Sequence, residues 1–172
     1  MAKKSGKYSK AKGSRFERRV RDELRRIYDG DQKSEINRVP MSGAGWQKGD
    51  VIDINDNGWS YEAKCQETLA LPAWWRQAKE QAKPFQTATL VFSSNHRPIY
   101  WVLRRDEWQA YVRDTVYRNI SSYKKTSTRS IYDKLSKYDD HDLAVISLDG
   151  DELVIVQNEY FIKMRRDMRN EK

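Results

Sequence analysis

The sequence contains few of the residues on which several common classes of protein depend. Its single cysteine, Cys65, excludes an internal disulfide framework and fits a reducing compartment, so we expect a cytoplasmic protein. One cysteine and two histidines, His96 and His141, argue against a zinc site within one chain. No run of about 18 apolar residues is present, and the lysine-rich N-terminus lacks the apolar segment of a secretory signal. These absences predict an intracellular protein with no membrane partner.

The positive charge is concentrated at one end of the chain. The net charge is +8, and residues 1–28 account for the whole excess with eleven Lys or Arg and three acidic residues. We expect residues 1–13 to form a flexible basic arm, because they are rich in lysine, serine and glycine. The lysines of this arm are Lys3, Lys4, Lys7, Lys10 and Lys12. A basic arm that leads into a basic helix suits nucleic acid, and a solubilising tail is the alternative.

The first helix is predicted from Ser14 to about Tyr28. Ser14 followed by Glu17 matches a capping box. An apolar stripe at helical spacing follows, and it consists of Phe16, Val20, Leu24 and Ile27. Glu17 lies at the border of this stripe. Its carboxylate therefore has two interpretations that stay open: a capping role only, or a contact with the carboxylate site described next.

A β-hairpin from residue 50 to residue 65 organises the rest of the chain. Two apolar runs, Asp50–Ile54 and Trp59–Cys65, flank a turn that contains Asn-Gly, which tolerates the positive φ of a tight hairpin. Side chains alternate along a strand, so Glu62 and Lys64 are expected on the same face. Pairing across the hairpin brings Asp50 toward that face.

Two carboxylates and one ammonium at a sheet edge suit phosphodiester hydrolysis. Asp50 and Glu62 can hold Mg²⁺ through oxygen ligands and leave positions for water and phosphate. Lys64 can orient the attacking water or offset the negative charge that develops. The alternative is that the carboxylates are solvated strand ends and that Lys64 only pairs with Glu62, because short motifs recur by chance.

Two further segments can contact a phosphate backbone. The loop of residues 41–49 has three glycines, Ser42 and Lys48, and can present backbone N–H groups and a hydroxyl to phosphate, or be a plain connector. A helix is predicted from Pro72, with a core stripe of Trp75, Ala78, Ala82 and Phe85. Its other faces carry a basic stripe and two glutamines, namely Arg76, Lys79, Lys83, Gln77 and Gln81.

The order of elements predicts an α/β fold with a mixed central sheet flanked by helices. Strands are predicted over 34–39, 87–92 and 99–103, and a helix over 106–117. Residues 118–141 read as an irregular loop, with contact to a nucleic-acid backbone as the alternative. A hairpin (143–148 and 153–156) and a final helix from about Asn158 follow. Residues 14–117 are then the core, and 118–172 an extension packed on it.

Several of these segments, taken together, resemble the PD-(D/E)XK nuclease superfamily. Within it the sequence is most similar to the Holliday junction resolvases of archaea and their phage-encoded relatives, over residues 12–110. The matching motifs, in order, are Lys12-Gly13-Ser14-Arg15-Phe16-Glu17-Arg18, Arg38, Ser42-Gly43, Asp50, Glu62-Ala63-Lys64 and Trp74-Trp75-Arg76-Gln77-Ala78. One departure is Gly49, which stands where the superfamily often has proline.

The resemblance implies a restriction-endonuclease-like αβββαβ core, a homodimer, and Mg²⁺- or Mn²⁺-dependent cutting of four-way DNA in recombination and repair. It implies that Asp50, Glu62 and the Ala63 carbonyl hold the metal, that Lys64 is catalytic, and that Glu17 acts through water or metal. Ser42 would contact the scissile region. The DNA-binding residues would be Lys3, Lys4, Lys7, Lys10, Lys12, Arg15, Arg38, Ser42, Lys48, Arg76, Gln77 and Lys79. A nuclease for flaps, nicks or damaged duplex and a non-catalytic DNA-binding protein are the alternatives.

Overall fold

The computed structural model describes residues 3–39, 49–112, 116–119, 135 and 142–170. Four α-helices and one 3₁₀ helix have both ends within these segments, and Leu135 is helical as well. The α-helices are α1 (Lys3–Arg25), α2 (Leu71–Gln81), α3 (Arg105–Tyr111) and α4 (Asn158–Asn170), and the 3₁₀ helix spans Gly30–Glu35. None of these helices combines the length and the apolar character that crossing a membrane requires.

Eight strands form one mixed sheet in the order β1-β2-β3-β4-β5-β8-β7-β6. The strands are β1 (Ile36–Arg38), β2 (Val51–Asp53), β3 (Trp59–Cys65), β4 (Thr87–Ser93), β5 (Tyr100–Arg104), β6 (Val116–Asn119), β7 (Asp142–Leu148) and β8 (Asp151–Gln157). The pairs β3–β4 and β6–β7 are parallel, and the others are antiparallel. The predicted α/β class and the predicted mixed sheet are confirmed, and the architecture is consistent with a restriction-endonuclease-like core.

A hydrophobic core covers each face of the sheet. On one face, α1 and α4 pack on β3, β5 and β8, and the predicted stripe residues Phe16, Val20, Leu24 and Ile27 are all buried there. On the other face, Trp75 and Ala78 of α2 are buried against β4, β5 and β8. Both faces are therefore closed by helices, as a sheet with a parallel strand pair requires.

The predicted start of the first helix at Ser14 is wrong. Helix α1 begins at Lys3 and includes the segment that the composition assigned to a flexible arm. Ser14 lies inside the helix, so it cannot be the N-cap of a capping box. Lysine and alanine are good helix formers, and the ammonium of Lys12 lies 2.7 Å from the carboxylate of Glu67, which ties this part of α1 to the loop after β3.

Three other boundaries differ from the sequence prediction. Residues 34–35 close the 3₁₀ helix, and β1 begins only at Ile36. Helix α2 ends at Gln81 because Ala82 is extended ahead of Lys83-Pro84, so Phe85 leaves the helical stripe and is 63% exposed. Helix α3 ends at Tyr111, and Val116 belongs to β6, where it pairs with Asp142 of β7.

The predicted C-terminal hairpin is confirmed, and it belongs to the sheet itself. Strand β8 pairs with β5 through five residue pairs, from Tyr100↔Gln157 to Arg104↔Leu153. Strand β7 then pairs with β8, and β6 with β7. Residues 142–157 therefore extend the sheet sideways beyond β5 rather than packing on one of its faces.

Helix α4 also reaches back to the turn between β2 and β3. The Arg165 guanidinium is buried and lies 2.9 Å from the carboxylate of Asp56 and 3.5 Å from that of Asp53. It stacks 4.2 Å above the ring centroid of Trp59. The Tyr28 hydroxyl donates to Asp53 Oδ2 at 2.5 Å. The Arg165 cluster consists of Arg165, Tyr28, Asp53, Asp56 and Trp59. It links α4 and the residue Tyr28 after α1 to the turn end of the β2–β3 hairpin.

Candidate active site

The β2–β3 hairpin holds Asp50 against the backbone of β3. The strands pair antiparallel with Val51 opposite Tyr61, as predicted. The amide of Asp50 donates to the Tyr61 carbonyl at 2.9 Å, and the amide of Ala63 donates to Asp50 Oδ2 at 2.8 Å. The carboxylate of Asp50 is therefore anchored on the backbone of β3 at Ala63, the residue between Glu62 and Lys64.

Gly49 makes this approach possible. Its φ is +96°, a conformation that side-chain-bearing residues rarely adopt, and a Cβ there would lie 3.2 Å from the Tyr61 carbonyl oxygen. Proline, with φ near −65°, cannot occupy this position in this conformation. Glycine rather than proline therefore stands at position 49 because the backbone enters β2 with a positive φ.

Glu62 and Lys64 lie together on the face of β3 that α2 covers. Lys64 Nζ is 2.5 Å from Glu62 Oε1, so the predicted same-face placement is confirmed. Glu62 is almost fully buried, whereas Lys64 keeps about one fifth of its side chain exposed. The Gln81 amide, at the end of α2, interacts with the Glu62 carboxylate. Lys64 therefore provides part of the solvent-facing side of the site.

Glu17 joins this site from α1. Its carboxylate lies 3.4 Å from the Arg38 guanidinium. Burial raises the pKa of the Glu17 carboxyl, and the negative charge of Asp50 adds to the rise, while Arg38, Arg18 and Lys64 oppose it. Ser14 is not an N-cap, so the capping-box role of Glu17 is wrong, and its carboxyl lies within electrostatic range of Asp50 and Lys64.

The pKa of the Glu62 carboxyl reflects both its burial and the negative charge near it. Burial and, after it, the charge of the neighbouring Asp50 raise the pKa of the Glu62 carboxyl, Lys64 and Gln81 partly offset the rise, and the result is a pKa of about 7. Within the described residues, the buried Glu62 Oε2 has no hydrogen bond of ordinary geometry. A divalent cation would satisfy that oxygen and neutralise the crowded carboxylates.

The donor set suits Mg²⁺. This ion binds through one or two carboxylates and keeps several waters, and Asp50 and Glu62 supply two. Within the described segments, His, Cys, Asp and Glu side chains do not form any group of three or more at metal-binding spacing. An all-protein cage is therefore absent from this part of the chain, and the residues present fit a hydrated hard cation.

The candidate DNA-binding residues fall into separate groups. Arg38 pairs with Glu17, and Lys12 with Glu67. Arg76 and Lys79 pair with Asp149 and Asp151, at 3.4 and 2.6 Å, in and beside the β7–β8 turn. These two ion pairs therefore join α2 to the β7–β8 hairpin. Gln77 is half-buried on α2, and Lys10 and Arg15 are exposed on α1. Ser42, Lys48 and the side chains of Lys3, Lys4 and Lys7 lie outside the described residues.

The hairpin carboxylates, the adjacent lysine and the mixed sheet define the class of protein as a PD-(D/E)XK-type endonuclease fold. A family model described as "Phage putative PDDEXK endonuclease" matches residues 8–163. The chain belongs to this family, which implies a nuclease that acts on DNA, and such nucleases generally use divalent metals. Searches of curated proteins and of solved structures each found no match.

The Glu62 carboxyl should titrate near pH 7 in metal-free protein. Because only the ionised carboxylate can hold a cation, Mg²⁺ binding should strengthen as the pH rises through this value. Replacing Gln81 by alanine removes an interaction that lowers the pKa of Glu62, so the midpoint should move to higher pH. Carbon-13 NMR of the glutamate carboxyls measures it, with Gln77→Ala as the matched control. A midpoint near the ordinary 4.5 would contradict the burial effect.

Proposed function

We propose that this protein is a metal-dependent, structure-selective DNA endonuclease that resolves four-way junctions by phosphodiester hydrolysis. The observation that carries the catalytic part is the convergence of Asp50, Glu62 and Lys64, with Asp50 anchored on the Ala63 amide and Lys64 against Glu62. The preference for four-way DNA rests on the resemblance of residues 12–110 to junction resolvases.

Each residue of the site has a proposed role. Asp50, Glu62 and the Ala63 carbonyl would hold Mg²⁺, for which Mn²⁺ can substitute, and the ion when bound acts as a Lewis acid on the phosphate. Lys64 would orient the attacking water or offset the charge that grows on the phosphate oxygens. Glu17 would accept a hydrogen bond from a water at the site. Ser42 would contact the scissile region.

A junction is resolved by two opposed cuts, so the function requires two active sites that face different arms. One chain carries one such site, and we therefore propose a homodimer with a two-fold axis. Light scattering of the full chain should then give twice 20.4 kDa. A monomer would favour the action on flaps or nicks.

The lysines at the start of α1 are proposed to contact DNA phosphates. Replacing Lys3, Lys4, Lys7 and Lys10 together by glutamine should weaken binding and reduce the slope of log K against log salt by up to about 3.5, because each phosphate contact contributes roughly 0.9. Fluorescence anisotropy over a salt series measures the slope. An unchanged slope would show that these lysines do not touch the backbone.

The test of the function is a comparison of labelled substrates that share one sequence: a four-way junction, a flap, a nicked duplex and an intact duplex. With Mg²⁺ the junction should be cut once in each of two opposed strands, at symmetric positions. With Ca²⁺ it should be bound but cut inefficiently. If the flap or the nicked duplex is cut faster than the junction, that DNA is the preferred substrate and the proposed junction preference is wrong. Binding without any cutting would indicate a non-catalytic protein, and rapid cutting in EDTA would exclude the metal mechanism.

A further inference from the structure

A groove lies on the α1 side of the sheet, between α1 and the turn that joins β4 to β5. Its volume is about 370 Å³, within the range of about 300–1,000 Å³ that small ligands occupy. Tyr8, Arg15 and Arg19 line one wall, and Asn95 and His96 line the other. Its floor includes Cys65, the β3 residue after Lys64, whose side chain packs on the α1 side of the sheet.

The groove has a surplus of positive charge. Arg15 is exposed, and within the described segments neither Arg15 nor Arg19 forms an ion pair with an acidic residue. The one hydrogen bond found for the Arg19 side chain is a 3.5 Å contact with the Arg97 carbonyl oxygen. Lys12, which also lines the groove, is neutralised by Glu67. Two guanidinium groups thus remain to bind an anion.

Tyr8 adds an aromatic surface beside these guanidinium groups. Its side chain is 64% exposed, and Ile54 and Phe85 are the other large apolar side chains exposed to this degree in the described part of the chain. Opposite it, His96 has φ +57°, an uncommon backbone conformation for a non-glycine residue. An exposed ring with flanking arginines is the arrangement by which proteins hold single-stranded nucleic acid, through base stacking and phosphate contacts.

We infer that this groove holds an unpaired nucleotide of the DNA substrate, with its base stacked on Tyr8 and its phosphates on Arg15 and Arg19. This rests on the proposed nuclease function. Bases within a duplex are covered on both faces by their neighbours and cannot stack on Tyr8, whereas a branch point can release one. The groove therefore gives the enzyme a way to select branched or distorted DNA over intact duplex.

Binding in EDTA, where cutting is blocked, tests this inference on the full-length protein. The probes are a short single strand with a central 2-aminopurine and a fluorescein-labelled duplex of the same sequence. Tyr8→Ala should weaken binding of the single strand about five- to tenfold and reduce the quenching of 2-aminopurine, and duplex binding should change less than about twofold. Tyr8→Phe, which keeps the ring, should restore both single-strand signals.

Charge is tested separately from stacking. Arg15→Gln should lower the salt slope for the single strand by about 0.7. Lys163→Gln serves as the control, because Lys163 is an exposed cation on α4, pairs with Asp167 and does not line the groove. Circular dichroism melts check that the variants fold.

Three results would overturn the inference: unchanged single-strand binding in Tyr8→Ala, an equal loss for duplex and single strand, or a Tyr8→Phe variant as weak as Tyr8→Ala. Failure of the wild-type protein to cut any branched DNA with Mg²⁺ would instead overturn the proposed function. The two failures are distinguishable because the binding measurement involves no cleavage.

Discussion

Replacing Glu62 by glutamine should reduce DNA cleavage by at least about 10³-fold and leave junction binding within about twofold. The substitution keeps the shape of the side chain and removes a proposed metal ligand, and the loss of a metal's charge stabilisation costs several kcal/mol in the transition state. The basic residues of α1 are unchanged, so affinity should persist. Single-turnover cleavage of a labelled junction and anisotropy in Ca²⁺ measure the two quantities.

Glu62→Gln should not destabilise the folded protein at alkaline pH. A carboxyl whose pKa rises from 4.5 to about 7 on folding destabilises the folded state increasingly as the pH rises between these values. The full effect is ~3 kcal/mol well above pH 7, and the opposing contribution of Lys64 is already contained in that pKa. Glu62→Gln removes this dependence, so its stability advantage over wild type should grow with pH.

Glu80→Gln is the matched control, because Glu80 is exposed on α2 one residue before Gln81. It should cut DNA at the wild-type rate. If Glu62→Gln loses binding together with cleavage, or unfolds at pH 8, Glu62 has a structural role and the catalytic assignment fails.

Replacing Arg165 by methionine should destabilise the protein by about 3–5 kcal/mol at pH 8, the usual cost of removing one partner from a buried ion pair. Arg165 is 2% exposed, and its loss leaves the fully buried Asp53 carboxylate without its cation. Burial already raises the pKa of Asp53, and the loss of Arg165 raises it further. Asp53 can then become neutral at low pH, so the destabilisation should be smaller at pH 5 than at pH 8. Urea unfolding at both values measures it.

Two comparisons isolate the charge effect. Arg166→Met removes the neighbouring exposed arginine and should cost less than about 1 kcal/mol. The double substitution Arg165→Met with Asp53→Asn removes both charges and should recover part of the loss. Equal destabilisation of the single and double variants would show that packing of Arg165 on Trp59, rather than charge, accounts for its contribution.

Local signals predicted the β2–β3 hairpin, but they did not predict the long-range pairing. The turn at Asn57-Gly58 and the alternation through Glu62 and Lys64 depend on neighbouring residues, so the sequence sufficed there, although neither turn residue has the positive φ expected of a tight hairpin. The parallel pairing of β3 with β4 brings α2 over the site, and neither its register nor the contact of Gln81 with Glu62 follows from periodicity.

The same limit explains the wrong start of the first helix and the unpredicted contacts of residues 142–170. Composition favoured a flexible arm over residues 1–13, but the contact of Lys12 with Glu67 joins positions 55 residues apart. Arg165 likewise meets Asp56 across 109 residues. Such contacts exist only in the folded chain, and no pattern within one segment indicates them. The placement of β8 between β5 and β7 likewise depends on pairing between distant segments.

The interior position of β8 makes the middle of the sheet depend on residues that are synthesised late. Until residues 142–170 have left the ribosome, one edge of β5 has no partner and the turn between β2 and β3 lacks Arg165. Domains generally fold as units, so we expect this sheet to close only after residue 165 has been made, although the first helix emerges much earlier.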